Sequence, residues 1–292
     1  MAEISVIGSA WLEECIHCKA PSIHTGKNQA SITRYFSGDM YNVAYNLALL
    51  DTQTSLCMKY GNDLESAELW NKLNSLNVML YGPTVTEKLP TLVTVSSNSR
   101  TLKFWDDNDA FAFDIDDLYP HTAFAKSDFV VTDIRDNNIL ELLVNKSPKT
   151  KWVISRHVPT KEIMEHVEGI ILTYEDALKL GKATDFDRIC YRLCALGAKW
   201  VIIYMGKQGI YSYSAKKPLN YQCLFQGDGF DSGCYSGFIS GFLYGLSTYY
   251  DLHKGIEYGN KTAAAIYNVV ESTRDDLKEA INTYTDVETL IY

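Results

Sequence analysis

The stretch "SGCYSGFISGF", residues 232–242, carries the most specific chemistry in the chain. Small residues open it, large apolar residues follow at helical spacing, and "LYGLSTYYDL" continues the run. A small-residue turn at a helix start presents backbone N–H groups and the positive end of a helix dipole, which suit a phosphate. Two residues do not suit it. Tyr235 stands where a Gly would leave room for an anion, and Ser236 stands where an acid would accept a proton. If residue 235 needs a positive φ, a Tyr there costs about 1–3 kcal/mol of strain.

Other residues with chemical potential are spread along the chain. Glu13 follows the first strand-like run, "EISVIGSA". "SGDMYN", residues 37–42, puts Gly38 ahead of a helix and Asn42 inside it, although a Gly before a helix is also a routine turn residue. Asp63 in "YGNDLES" has the position of a helix N-cap. "YMGKQG" places Gly206 and Gly209 in a tight turn whose N–H groups could face phosphate oxygens. "CIHC", Cys15 to Cys18, looks like half a zinc site, but no second half follows and a reduced pair is expected. "WDDNDAFAFDIDD" is acidic, yet counting from Asp106 puts Phe111 and Asp117 where a calcium loop needs Gly and Glu. Arg100 and Lys103 in the preceding hairpin are either exposed surface charges or contacts for an anionic substrate.

The elements that must position these residues alternate. Strand-like runs at "SDFVVTDI", "KWVISRH", "EGIILTY" and "KWVIIYMG" are separated by amphipathic helices such as "NNILELLVNK" and "FDRICYRLCALG". This pattern predicts an α/β fold with a mostly parallel sheet covered on both faces. One domain is expected over residues 1–292. Two segments break the alternation, about 14–36 and 90–105, and are expected to pair into a small β lid. The chain has 292 residues and a formal charge of −9, with scattered Lys and Arg, which argues against a nucleic-acid partner. Seven cysteines at irregular spacing, no signal-like start and no apolar run long enough for a span point to the cytoplasm and away from the membrane. No G-x-G-x-x-G follows the first strand, which disfavours a dinucleotide-binding dehydrogenase.

In order and spacing, "VIGSAWLE", "SGDMYN", "YGNDLES", "YMGKQG" and "SGCYSGFISGFLYGL" resemble the PfkB family of the ribokinase superfamily, which are sugar and nucleoside kinases. The resemblance implies a ribokinase-like three-layer α/β/α sandwich and ATP-dependent phosphoryl transfer, with Mg2+, to a hydroxyl of a sugar or nucleoside. It implies substrate contacts at Glu13, Gly38 and Asn42, with Trp11, in place of the family's Asn, offering only a ring to stack on. Gly206, Gly209, Gly233, Cys234 and Tyr235 fall on the nucleotide side. The family's NxxE falls on "TYED", so Asp176 takes the place of the acid that orders water around magnesium. The family's GAGD falls on Gly233, Cys234, Tyr235 and Ser236, so Ser236 replaces the catalytic Asp. Asp231, in the loop before the helix, is a stand-in only if that loop folds back. Bringing Asp231 into the base position by register instead breaks the match at Phe238, Gly241 and Phe242. The resemblance therefore implies either a slow kinase or a protein that keeps the fold and a ligand without turnover. Lids of this family also imply a homodimer.

Overall fold

The structure is a computed structural model that describes residues 2–18, 28–97, 101–106, 111–118, 124–180, 185–215, 217–225, 233–267, 269, 271–285 and 289–290. The chain starts with β1 (Glu3–Ile7), β2 (Trp11–Cys18), β3 (Ala30–Ser37) and α1 (Asp39–Leu49). It continues with β4 (Gln53–Cys57), α2 (Leu64–Ser75), β5 (Met79–Tyr81), β6 (Thr91–Ser96) and β7 (Thr101–Trp105). The middle contains β8 (Phe129–Thr132), α3 (Asn137–Lys146), β9 (Lys151–Ser155), α4 (Lys161–Met164), β10 (Val167–Thr173), α5 (Tyr174–Leu180) and α6 (Phe186–Leu196). The last third holds β11 (Trp200–Tyr204), β12 (Ile210–Ser214), β13 (Lys217–Tyr221), α7 (Cys234–Tyr249), α8 (Leu252–Ile266), α9 (Leu277–Ile281) and β14 (Thr289–Leu290).

Ten strands form one sheet in the order β14-β13-β12-β11-β10-β9-β8-β1-β4-β5. From β5 to β11 the pairing is parallel, and β12, β13 and β14 add an antiparallel edge. Strands buried on both faces explain the near-continuous apolar runs in the sequence. Alternate residues feed two cores: Val131 and Val153 pack with α1, α7 and α8, while Val130, Trp152 and Ile154 pack with α3, α4 and α6. The fold is the expected ribokinase-like α/β sandwich. The short β5, α4 and α9 were not legible in the sequence. None of the helices among the described residues is long and apolar enough to cross a membrane.

Four strands, β3-β2-β6-β7, make a second, smaller sheet. Of the hairpin expected at 90–105, β6 and β7 pair antiparallel with Val93 opposite Phe104, and Arg100 lies outside the described residues. The strand β2 begins at Trp11, three residues before the expected segment, so Trp11 and Glu13 belong to this sheet rather than to the end of β1. One cross-strand row is apolar, running Ile32, Ile16, Val95, Leu102.

Asp63 caps α2 as its position predicted. Its Oδ1 accepts from Ser66 N at 2.7 Å and its Oδ2 accepts from Leu89 N at 2.6 Å. One carboxylate thus joins a helix start to the segment leading into the small sheet. Replacing Asp63 with Ala is expected to cost about 1–2 kcal/mol. Urea unfolding would show it as a lower midpoint at unchanged slope.

Candidate active site

The strand order reverses at β1, which lies between β4 and β8, and in open α/β sheets ligands bind outside the carboxyl ends of the strands at such a point. A cleft of about 560 Å³ opens on this carboxyl side, over the ends of β9, β10 and β11 and beneath the small sheet. Its walls come from β2, the β3–α1 turn, the ends of β9, β10 and β11, and the start of α7.

On one side lie Glu13, Asn42 and Trp11. Glu13 is buried on β2, opposite Tyr35 and Leu92. Gly38 does not line the cleft. With φ at +132° it lets the chain pass the β1–β2 connection, where a Cβ would lie 2.4 Å from Ser9 O. That turn delivers Asp39 and Asn42 into the cleft. Asn42 is 2% exposed, and its Oδ1 has no hydrogen-bond partner. The indole of Trp11 is occupied edge-to-face with Trp105, ring centres 5.2 Å apart, and its buried Nε1 has no partner. Trp11 therefore carries an N–H donor in addition to the ring expected to stack.

On the floor the structure brings in residues that sequence reasoning did not single out. Arg156 follows β9 in the left-handed region, φ 59°, with its N–H donating to Ile171 O at 2.9 Å. A positive φ at a non-Gly residue is uncommon and is a marker of a constrained position. Its Nε lies 2.9 Å from Asp39 Oδ2, and its guanidinium sits 4.7 Å from the centre of the Tyr235 ring. Burial raises the Asp39 carboxyl above its ordinary range, while Arg156 opposes the shift. Beside it, Asp133 at the end of β8 is pushed up to about 7, first by burial and then by the Asp39 charge. No sequence pattern marks Arg156 or Asp133, because what unites them is the shared end of parallel strands.

On the opposite side Gly206 has φ +56° and open space around it, and it lines the cleft. Gly209, φ +102°, packs on Tyr221 O and does not line it. Gly233, φ +75°, caps α7 against Ser272. Cys234 is wholly buried. Tyr235 is helical and carries no positive φ, so the strain considered above does not arise; Gly233 takes the left-handed position instead. The Tyr235 hydroxyl reaches down to the sheet, 2.9 Å from Ser155 Oγ and 2.9 Å from Ile171 O. Ser236 is fully buried and its Oγ donates to Gly233 O at 2.9 Å. Asp231 lies outside the described residues.

The sequence pattern of the pfkB family of carbohydrate kinases matches residues 1–278. The chain belongs to this family. An ATP-dependent 6-phosphofructokinase of Thermoanaerobacterium thermosaccharolyticum is 25% identical over 262 residues, 79% of this chain and 78% of that protein. Among solved structures, a ribokinase of Thermotoga maritima superposes with a TM-score of 0.82 at 14% identity, covering 97% of this chain and 99% of the other. A nucleoside kinase of Methanocaldococcus jannaschii gives 0.75 at 17% identity, covering 97% and 99%.

The PfkB position expected to order water around magnesium is occupied differently here. Thr173 Oγ1 donates to Asp176 Oδ2 at 2.8 Å, and Lys179 Nζ lies 3.1 Å from Oδ1. Both carboxylate oxygens of Asp176 are thus engaged within the chain. Among the described residues no three His, Cys, Asp or Glu side chains converge to hold a metal. The described residues do not by themselves form a magnesium site.

Asp133 gives this site a pH signature. An acid whose folded pKa lies above its unfolded value favours folding at low pH, and that contribution is lost as pH rises through the folded value. Wild type is therefore expected to lose stability relative to Asp133→Asn between about pH 4 and pH 7. Melting temperatures of the two proteins measured across that window check it, and parallel curves would be the contrary result.

Proposed function

We propose that this PfkB protein transfers the γ-phosphate of ATP to a hydroxyl of a sugar or nucleoside bound beneath the small sheet. One observation carries the reading: a single cleft brings Glu13 and Asn42 together with Gly206 and the Gly233 turn at the head of α7. Asn42 Oδ1 would accept from a substrate hydroxyl, and Trp11 Nε1 would donate to a substrate oxygen, giving each buried atom the partner it lacks. Gly206 leaves room for phosphates to approach the backbone. Magnesium would enter on those phosphates, which is how it usually binds at such sites. The small sheet would close over the substrate as a lid, keeping water from the reaction. Seven cysteines at irregular spacing suit the reducing cytoplasm proposed as its location.

A second reading is favoured by Ser236, whose Oγ is tied to Gly233 O and which cannot act as a base at neutral pH. On that reading the protein binds ligand without turning it over. ATP consumption against a panel of sugars, nucleosides and their phosphates separates the two. Turnover of any panel member is expected; none at all would leave the binding protein. For the substrate found, Asn42→Ala is expected to raise KM about tenfold or more, from the loss of a buried hydrogen bond.

Homodimerisation is part of the same proposal. The row through Ile32 and Leu102, with Phe104 on the same face, is apolar and exposed at 65%, 47% and 56%. A partner's small sheet would cover it. Leu102→Lys with Phe104→Lys is expected to halve the mass in sedimentation equilibrium. A wild type that sediments as a monomer would remove the dimer.

A further inference from the structure

The carboxylate that α7 lacks is present on α1. Asp39 is the first residue of α1, and its side chain is 28% exposed, opening into the cleft. Arg156 Nε is 2.9 Å from its Oδ2, and the same guanidinium stands 4.7 Å from the ring of Tyr235, in the first turn of α7. One planar group therefore spans the gap between Asp39 and the helix start where Ser236 sits. Asn42 is three residues beyond Asp39, so the two project from one side of α1. Its unpartnered Oδ1 marks where a ligand hydroxyl belongs, independently of any argument about Asp39. Arg156 Nε approaches Oδ2 as an ion pair without a hydrogen bond, and the proposal assigns the ligand to the other oxygen, Oδ1.

From this geometry we infer that Asp39 is the general base of the transfer and that Arg156 positions it. This rests on the kinase reading above. The substrate hydroxyl oxygen forms a bond to the γ-phosphorus while the bond from that phosphorus to its bridging oxygen breaks. The electron pair of the broken bond leaves with ADP, and the hydroxyl proton passes to Asp39 Oδ1. Arg156 holds the carboxylate from one side and places its positive charge at the head of α7, where charge on the phosphoryl group in transit would be stabilised. Its stacking on Tyr235 restricts the guanidinium, so little ordering is needed at the moment of reaction.

The test uses the full chain and the substrate identified by the panel. Asp39→Asn and Asp39→Ala are expected to lower kcat by about 10²–10⁴ with KM within about threefold. Added formate is expected to restore part of the rate of Asp39→Ala and none of Asp39→Asn, because only the first leaves space for a small carboxylate. Loss of packing alone would not give that difference. Turnover within about threefold of wild type in Asp39→Asn overturns the assignment, as does absence of formate rescue. If both variants melt below the assay temperature, Asp39→Glu decides, since it keeps the charge and displaces it. A loss of about 10² in kcat is then expected, and unchanged kcat overturns. A wild type with no turnover fails the kinase reading itself and takes this assignment with it, whereas an active wild type with an equally active Asp39→Asn fails this assignment alone.

Discussion

The buried hydroxyl of Tyr235 ties the two halves of the site together. It meets Ser155 at the end of β9 and the carbonyl of Ile171 in β10, so the first turn of α7 is pinned to the carboxyl ends of two parallel strands. Burial without those partners would cost more than the bonds gain, so the arrangement holds as a unit. Its consequence reaches upward. With the hydroxyl anchored to the sheet, the ring stands where the Arg156 guanidinium lies 4.7 Å from its centre while Nε reaches Asp39. A Gly at 235 would leave the floor open for an anion, but Arg156 would lose the ring it stacks on. The residue that looks like damage to a phosphate cradle is the support for a different charge.

The rest of α7 answers to packing. A Cβ at Gly241 would lie 2.3 Å from Thr262 Oγ1 and from Tyr258 O, and one at Gly259 would lie 2.8 Å from the Phe238 ring. The backbones of α7 and α8 approach because both sides supply glycines, and Phe238 and Phe242 fill the space left. The Gly-rich texture of "SGCYSGFISGF" therefore has two causes. Gly233 serves the turn with its positive φ, whereas Gly237 and Gly241 serve helix contact.

The fold was legible because its signals are local. Apolar runs and amphipathic periods place β1, β8 to β11, α3 and α6 within a residue or two, and Asp63 announces its cap. The site was legible in part. Of the residues the motifs singled out, Glu13, Asn42, Gly206 and Gly233 line the cleft, while Gly38 and Gly209 lie behind it and let the backbone turn. Arg156 and Asp133 were invisible, because each is one polar residue after a buried strand and nothing nearby in sequence says that the strands are neighbours. Asp39 was in plain view within "SGDMYN", but its importance comes from Arg156, 117 positions away. A sequence does not show that Trp11 meets Trp105, from the far strand of the small sheet, edge-to-face.

For an acidic chain to bind an anionic nucleotide, as proposed above, it needs local relief from its own field. The formal charge of −9 is set by residues spread over the whole surface, and solvent screens most of them beyond about 10 Å. Inside the cleft the balance differs. Lys103 from the small sheet, Arg156 from β9 and Lys207 from the turn after β11 come from three separate elements and meet Glu13, Asp39 and Glu175 there. Formal charges around the cavity nearly cancel, so the field a phosphate feels is decided by orientation. The ion pair of Arg156 with Asp39 keeps the cation at the α7 end and the carboxylate towards Asn42. A phosphate approaching α7 meets the positive end of that dipole together with the positive end of the helix, and a hydroxyl at Asn42 meets the negative end. Such an ordered pair does more for two opposite tasks than either charge could do alone, and it does so without altering the net charge of the protein.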